Sequence, residues 1–298
     1  MKKSTKIFVF GGLICMAVGM VVMLITGGIG GVKIVKEVYK SLRDASITSE
    51  NLGIDVILPE EFEDLEFFAV SGNKEVGISE NNIHSVHVTV DGGAVNIEKG
   101  AEDVIVLATE GGFNTMYTIE DGVLVVKEQI ESFSNVGEIT IYLPAQMTFE
   151  EICVNVGGGE LDAEELRAKA VIVNVGAGEA NIEEIVAEQL DANVGAGEIT
   201  VEDSEVAQDV NANVGMGEMT FVGTINGNAD LRCGMGELEV QINGQVFEDY
   251  NYKLSCAAGN IDLGDMSYSG AGINKRIDNG SNKTLDVDCG MGNVCIEF

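Results

Sequence analysis

Five regularly spaced glutamates are the residues of this sequence best suited to chemistry. Each ends a copy of the phrase Asn-Val-Gly-x-Gly-Glu, which begins at Asn155 and recurs at steps of 19 or 20 residues, with Arg-Cys replacing Asn-Val in the fifth copy. If the copies stack in register, neighbouring carboxylates lie about 5 Å apart. Their repulsion is then about 0.8 kcal/mol in water and about 3 kcal/mol at an effective dielectric constant near 20. The glutamates are Glu160, Glu179, Glu198, Glu218 and Glu237.

Calcium is the ion that such a column would bind, because Ca²⁺ prefers carboxylate and carbonyl oxygens. The phrase differs, however, from the Gly-Gly-x-Gly-x-Asp repeats that bind calcium in β-helices. Solvated corner side chains are therefore the preferred interpretation of the five glutamates, and a calcium site is the alternative. No other cofactor is indicated. Zinc is disfavoured because the chain has only two histidines and no Cys-x-x-Cys.

The sequence does not indicate an enzyme. β-Helix enzymes that cleave acidic polysaccharides need basic and acidic groups clustered on a groove, and this chain is poor in Arg, His and aromatic residues. No Ser/His/Asp or Cys/His arrangement suggests a nucleophile. His84 and His87 are three residues apart on one short predicted strand, so we expect them to face opposite sides. We therefore predict no catalytic residues.

The residues around the glycines predict β-strands. Apolar residues alternate before each Gly-x-Gly, as in Val171, Val173 and Val175, and again after it, as in Ala180 and Ile182. Period two indicates strands with one buried face, and Gly-x-Gly indicates a tight corner with permissive backbone angles. A period near 20 indicates stacked repeats. The sequence thus predicts an all-β fold, a β-solenoid with coils of 19–20 residues; a meander of antiparallel hairpins is the alternative.

Stacking would place equivalent residues in columns about 4.8 Å apart. Cys256 and Cys289 share the phase of an inner apolar column, where cysteine acts as a small apolar residue; a disulfide between stacked neighbours is the alternative. The asparagines of the phrase point outward by parity, and their amides are expected to hydrogen-bond along the stack. The inner column is predicted to contain Val156, Val175, Val194, Val214 and Cys233. The outer one contains Asn155, Asn174, Asn193 and Asn213.

The N-terminal segment predicts a membrane anchor. Residues 7–32 form an uncharged run of 26 residues, which is long enough to span a bilayer as a helix. A cleaved signal peptide is the alternative, although no Ala-x-Ala follows the run. Basic residues flank both ends, so the positive-inside rule does not decide the orientation. We expect a single-pass protein of the cell membrane with an extracytoplasmic C-terminal domain.

Three parts are predicted along the chain. Residues 1–32 form the transmembrane anchor, 33–45 a charged juxtamembrane stalk, and 46–298 an acidic β-solenoid domain. Within the domain, an irregular lead-in covers 46–149, regular coils cover 150–242, and closing coils cover 250–298. A loop or insertion is expected at 265–284, and a hairpin turn at Asp121-Gly122. We expect the lead-in 46–80 and the closing segment 285–298 to cap the stack.

The charge of the chain restricts its partners. The formal net charge is −32, and residues 1–32 hold three lysines and no acidic residue, so residues 33–298 carry 14 basic and 49 acidic residues, or −35. Such a surface repels nucleic acid and anionic lipid headgroups. We therefore exclude nucleic acid as a partner. A cation or a basic partner would be attracted.

Several motifs together resemble a known family. They are the Asp91-Gly-Gly93 corner, Leu143-Pro144 ahead of Ile152–Leu161, and the serial Val-Gly-x-Gly-Glu units. Because of these motifs, the chain resembles the bacterial putative-adhesin family of β-strand-repeat domains of unknown function. The resemblance covers about residues 83–298. The chain departs in carrying Glu where many members carry Asp, and in the insertion at 265–284. The resemblance implies a β-solenoid and an envelope-associated, frequently membrane-anchored protein, and it implies no established catalytic residues.

The predicted function is that of a membrane-anchored, surface-exposed β-solenoid acting as an adhesin-like binding or structural module of the bacterial envelope. Its expected partners are the membrane, through residues 7–32, and an envelope protein or glycan; a second copy of the chain is a further candidate. The alternative is an envelope-stress sensing or regulatory membrane protein. A carbohydrate-active β-helix enzyme is less favoured.

Overall fold

The computed structural model describes residues 67–71, 74–78, 82–100, 104–110, 114–129 and 138–298. These residues form 24 strands and one short 3-10 helix, Phe247–Asp249. All of them belong to one unit, Val56–Phe298. The predicted anchor and stalk, residues 1–45, lie outside the described residues.

The strands are short, and most carry buried residues at every second position, as expected for one-sided burial. The first twelve are β1 (Phe68–Ser71), β2 (Lys74–Ile78), β3 (Ser85–Val90), β4 (Ala94–Gly100), β5 (Ile105–Glu110), β6 (Asn114–Glu120), β7 (Val123–Gln129), β8 (Glu138–Pro144), β9 (Phe149–Val156), β10 (Glu160–Ala163), β11 (Leu166–Val175) and β12 (Glu179–Ile182). The others are β13 (Ile185–Val194), β14 (Glu198–Val206), β15 (Val210–Val214), β16 (Glu218–Ile225), β17 (Ala229–Cys233), β18 (Glu237–Ile242), β19 (Asn251–Cys256), β20 (Asn260–Leu263), β21 (Met266–Ser269), β22 (Ile273–Ile277), β23 (Thr284–Cys289) and β24 (Asn293–Glu297).

Two parallel ladders make up the regular part of the fold. Strands that precede a Gly-x-Gly corner (β9, β11, β13, β15 and β17) pair with one another, and strands that follow it (β10, β12, β14, β16 and β18) do the same. The register joins equivalent residues of successive copies, as in Val175 with Val194 and Glu179 with Glu198. The pairing confirms the all-β, solenoid-like prediction and excludes the antiparallel meander for these coils.

The core lies between the ladders and is built from columns of equivalent apolar residues. The predicted inner column from Val156 to Cys233 is in register and buried. Beyond Cys233 it continues through Cys289 and Cys256, which are also buried. The two best-formed cavities among the described residues have volumes of only about 10 and 20 Å³. Neither cavity has room for a small-molecule ligand.

The corner glycines are required for a reason other than the predicted one. We expected them to supply permissive backbone angles, but none of them has a positive φ. Instead, a Cβ on Gly176 would lie 2.7 Å from the carbonyl oxygen of Gly157, and one on Gly178 would collide with the carbonyl oxygen of Gly159. Real Cβ contacts are not that short. Glycine recurs because successive corners pack backbone against backbone.

Both ends of the stack depart from chain order. At the C-terminal end, β23 lies between β17 and β19, and β24 lies between β18 and β20. The closing segment 285–298 is therefore an inner layer, and the prediction that it caps the stack was wrong. The predicted loop at 265–284 contains β21 and β22, which pair antiparallel with β20 and β19. This reversed layer is the outermost one at the C-terminal end of the two ladders.

The N-terminal end is closed in a similar way. β7 and β8 lie outside β3 and β4, and the antiparallel pairs β5–β8 and β6–β7 reverse the chain there. β1 and β2 add a further antiparallel layer, so part of the predicted irregular lead-in consists of strands. The predicted Asp121-Gly122 hairpin turn is confirmed between β6 and β7. Both residues have positive φ, as a type I′ turn requires.

A buried carboxylate accepts hydrogen bonds from the backbone of one corner. In each later corner, backbone N–H groups donate to carbonyls of the layer before, as Gly176 donates to Val156 at 2.8 Å. The Asp91-Gly92-Gly93 corner, between β3 and β4, has a different acceptor. Its three N–H groups donate instead to Oε2 of buried Glu128, at 3.0–3.1 Å. At the opposite end, the N–H of Gly272 donates to the carbonyl of Ala257 at 3.0 Å.

We expect the substitution Glu128→Gln to lower the free energy of unfolding by about 2 kcal/mol, because it replaces three charge-assisted hydrogen bonds with neutral ones at a buried site. Urea unfolding of the full-length protein measures this. The control is Glu202→Gln, an exposed glutamate on β14, which should change stability by less than about 0.5 kcal/mol. Equal losses in the two variants would contradict the capping role of Glu128.

Candidate functional site

The five predicted glutamates form one exposed column beside the corners. Glu160 pairs with Glu179, and the register continues through Glu198 and Glu218 to Glu237. All five side chains are exposed. In the next two layers, asparagines at positions 293 and 260 replace the glutamates. The structure therefore brings these residues together as the sequence predicted, with their carboxylates in solvent.

Calcium binding by this column stays a prediction. Among the residues that the structure describes, no group of three or more His, Cys, Asp or Glu side chains is arranged to hold a metal ion. The Nδ2 group of Asn181 donates to Oε1 of Glu179 at 3.0 Å and also approaches Oδ1 of Asp162 at 3.3 Å. Neighbouring amides can thus take up part of the hydrogen-bonding capacity of the column.

A ridge of methionines runs along the corners next to the glutamates. We use "methionine ridge" for Met216, Met235 and Met291, the central residues of three Gly-x-Gly corners. Their exposed fractions are 39%, 42% and 62%. Of the five large apolar side chains that are exposed among the described residues, three are in this ridge. Sequence reasoning missed it, although Gly-Met-Gly occurs three times in the chain.

Backbone hydrogen bonds between layers hold the methionine ridge in place. The N–H of Met216 donates to Gly195 at 2.7 Å, that of Met235 to Gly215 at 2.8 Å, and that of Met291 to Gly234 at 2.7 Å. The intercalated last coil places Met291 directly beside Met235. Had the coils stacked in chain order, Ala258 would separate these two methionines. The ridge is thus a continuous apolar strip on a fixed backbone.

An asparagine ladder lies on the other side of the corners. Nδ2 of Asn174 donates to Oδ1 of Asn155 at 2.8 Å, Asn193 donates to Asn174 at 2.8 Å, and Asn213 donates to Asn193 at 2.7 Å. The predicted amide stacking is confirmed. Asn155 and Asn174 are only 8% and 5% exposed, so this part of the column is a structural element and is not open to a ligand.

Charged residues replace the asparagines beside the methionine ridge. Arg232 and Asp288 occupy the ladder positions in the two layers after Asn213. The guanidinium of Arg232 pairs with Asp230 at 2.6 Å. Burial, together with the carboxylates of Asp286 and Asp288, raises the pKa of Asp230 despite this pair. Negative charge therefore exceeds positive charge on this side of the ridge as well.

Three cysteines lie stacked beneath the same corners. Cys233, Cys289 and Cys256 are buried free thiols, and the described residues contain no disulfide. Burial, with the neighbouring Cys256 thiol, raises the pKa of Cys289 to about 12. Burial also raises the pKa of Cys153, on the outer side of β9, to about 11. The raised pKa values keep the Cys289 and Cys153 thiols protonated at neutral pH.

The histidines form separate contacts. Nε2 of His84 lies 3.0 Å from the carbonyl oxygen of Asp121, whereas Nε2 of His87 lies 2.7 Å from Oε1 of Glu151. Nδ1 of His84 also lies 3.0 Å from Oγ of Ser85. Neither histidine lines either of the two cavities described above. The geometry thus offers no positive evidence for an enzyme.

The sequence of this solenoid-like stack matches one family model over residues 46–283, that of the Toastrack DUF4097 domain. The chain belongs to the Toastrack DUF4097 family. This agrees with the resemblance inferred from the corner motifs. The match covers most of the predicted domain and ends just before β23 of this Toastrack chain.

Several solved structures resemble this Toastrack chain at 13% identity. The first is a putative cell adhesion protein from Clostridium sporogenes. The alignment includes 78% of this chain and 99% of that protein, with a TM-score of 0.36. The second is a putative adhesin from Bacteroides fragilis. The alignment includes 78% of this chain and 97% of that protein, with a TM-score of 0.43. The third is a putative lipid binding protein from Parabacteroides distasonis. The alignment includes 76% of this chain and 96% of that protein, with a TM-score of 0.44. No curated protein matches the chain.

The membrane prediction concerns residues that the structure does not describe. Within the described ranges, no helix is long and apolar enough to span a bilayer. The predicted span, residues 7–32, lies outside those ranges.

We expect the substitution Asn174→Ala to lower the free energy of unfolding by about 1–3 kcal/mol, because it removes the donor to Oδ1 of Asn155 and the acceptor of Nδ2 of Asn193 at a largely buried site. Chemical unfolding of the full-length protein measures this. Asn213→Ala is the matched control, because it removes one amide bond from the end of the ladder. A larger loss in the control would contradict the role of the ladder.

We expect iodoacetamide at pH 8 to leave Cys233, Cys256 and Cys289 unmodified in the folded protein. All three are buried, and with a pKa of about 12 only about one Cys289 thiol in 10⁴ is ionised at that pH. Peptide mass spectrometry measures the modification, and urea should make all three react. A Ser255→Cys variant, at an exposed site on β19, should react readily. Equal rates at Cys289 and at the added cysteine would contradict burial.

Proposed function

We propose that this chain is a membrane-anchored, surface-exposed Toastrack module that acts as an adhesin-like binding or structural element of the bacterial envelope. The observation that carries the proposal is the methionine ridge. Its side chains are apolar, exposed and unnecessary for the core, yet they form a continuous strip on a rigid backbone. Exposed apolar side chains that adjoin one another are typical of an interaction surface.

The membrane and surface parts of the proposal depend on the sequence. The uncharged run of residues 7–32 supports a single-pass anchor. The −35 charge of residues 33–298 supports an extracytoplasmic domain, since such a surface is soluble and repels anionic headgroups and nucleic acid. A calcium-dependent contact through the column from Glu160 to Glu237 is a further proposal about the same surface.

A sensory or regulatory membrane protein is the alternative function. It would need the stack to transmit a signal across the membrane through residues 7–32. A carbohydrate-active enzyme is less favoured, because the chain is poor in Arg, His and aromatic residues.

We expect external protease to remove a tag fused after Phe298 from intact cells, because the proposed orientation places residues 46–298 outside the membrane. Immunoblotting of the tag before and after cell lysis measures this, and a cytoplasmic marker protein is the control for leakage. Protection of the tag until lysis would place the acidic domain inside the cell. The adhesin-like function would then be wrong, and a membrane-tethered regulator would replace it.

A further inference from the structure

The methionine ridge has no role in the fold that explains its residue type. In earlier layers of the same corner column the central residue is Gly158, Ala177 or Ala196, so the corner does not need a large side chain. The change to methionine occurs in three layers that are adjacent in space. The other exposed large apolar residues, Phe68 and Val246, belong to different parts of the chain.

Acidic residues outnumber basic residues on both sides of the methionine ridge. Glu218 and Glu237 stand in the next column, two residues after Met216 and Met235. Asp288 stands on the opposite side, three residues before Met291. The basic residues on that side, Arg232 and Lys253, are paired with Asp230 and Asp286. A partner therefore meets an apolar strip with acidic borders.

We propose that the methionine ridge binds a cationic amphipathic segment of another polypeptide, with aliphatic side chains on the ridge and Lys or Arg side chains on its acidic borders. This inference rests on the proposed function as a binding module and names the partner class. Unbranched thioether side chains adapt to differently shaped apolar surfaces, and the carboxylates attract and orient a basic partner. Nucleic acid and anionic lipid lack the required positive charge.

The test measures binding of a fluorescent amphipathic peptide of leucine and lysine to full-length protein in phosphatidylcholine nanodiscs. A scrambled peptide of the same composition keeps the charge and loses the apolar face. We expect fluorescence anisotropy to show at least about tenfold tighter binding of the amphipathic peptide, because only this peptide can bury the thioether side chains. Equal affinities for the two peptides would overturn the proposal in favour of non-specific charge attraction.

Substitutions locate the binding surface. The triple variant Met216→Gln, Met235→Gln, Met291→Gln keeps side-chain length and should weaken peptide binding about tenfold. Because these residues are exposed, its unfolding midpoint should match that of the unmodified protein. If the triple variant fails to fold, peptide affinity is measured on the single variant Met291→Gln, at the most exposed position of the ridge. Unchanged affinity in a folded ridge variant would overturn the proposal.

The glutamate column supplies a charge-matched control. Glu218→Gln with Glu237→Gln removes two charges beside the methionine ridge and should weaken binding severalfold. Glu160→Gln with Glu179→Gln removes two charges from the same column beside Gly158 and Ala177, and should leave affinity within about twofold. Equal weakening by both pairs would overturn the proposal. So would ridge variants that change the oligomeric state of the protein but not peptide binding, since the partner would then be a second copy of the chain.

These outcomes are independent of the protease experiment. The peptide measurements report on the ridge of the purified protein, whereas protease treatment of cells reports on the location of the domain. Peptide binding together with a protected tag would retain the partner class and reject the surface function. An exposed tag without peptide binding would retain the surface function and reject this partner class.

Discussion

The direct contact between glycine corners is the constraint on which the rest of this structure depends. A Cβ at Gly178 would collide with the carbonyl oxygen of Gly159 in the layer before, and the same holds from corner to corner. Backbone can approach backbone this closely only without a side chain. Once the corners touch, the strands on both sides are held in one register, and every other column of the fold follows from that.

A fixed register turns each repeated residue type into a continuous feature. Asparagines become a hydrogen-bonded ladder, valines and cysteines a buried column, glutamates an exposed acidic column, and methionines an apolar ridge. The same constraint makes like charges neighbours, so the glutamates are stable only where they reach solvent. The in-register stacking of equivalent residues therefore produces both the buried core, from inward positions, and the candidate binding surface, from outward positions.

Such a stack also needs an end at each side, and both ends are non-repetitive. The three N–H groups of the Asp91-Gly92-Gly93 corner all donate to the buried Glu128 carboxylate. At both ends, reversed strands pair antiparallel with the neighbouring layer and end the parallel stacking. The last coil, β23 and β24, enters the stack instead of closing it. This order makes the methionine ridge continuous.

The sequence alone determined the period, the strands, the inner column from Val156 and the stacking of asparagines and glutamates, because all of these repeat along the chain and stacking preserves the repeat. It did not determine the position of the last coil, the strands within 265–284 or the role of Glu128. Those features depend on single contacts between distant segments, and such contacts produce no repeated pattern in the sequence. Only the tertiary structure brought Met291 beside Met235, since adjacency in space there differs from order in the chain.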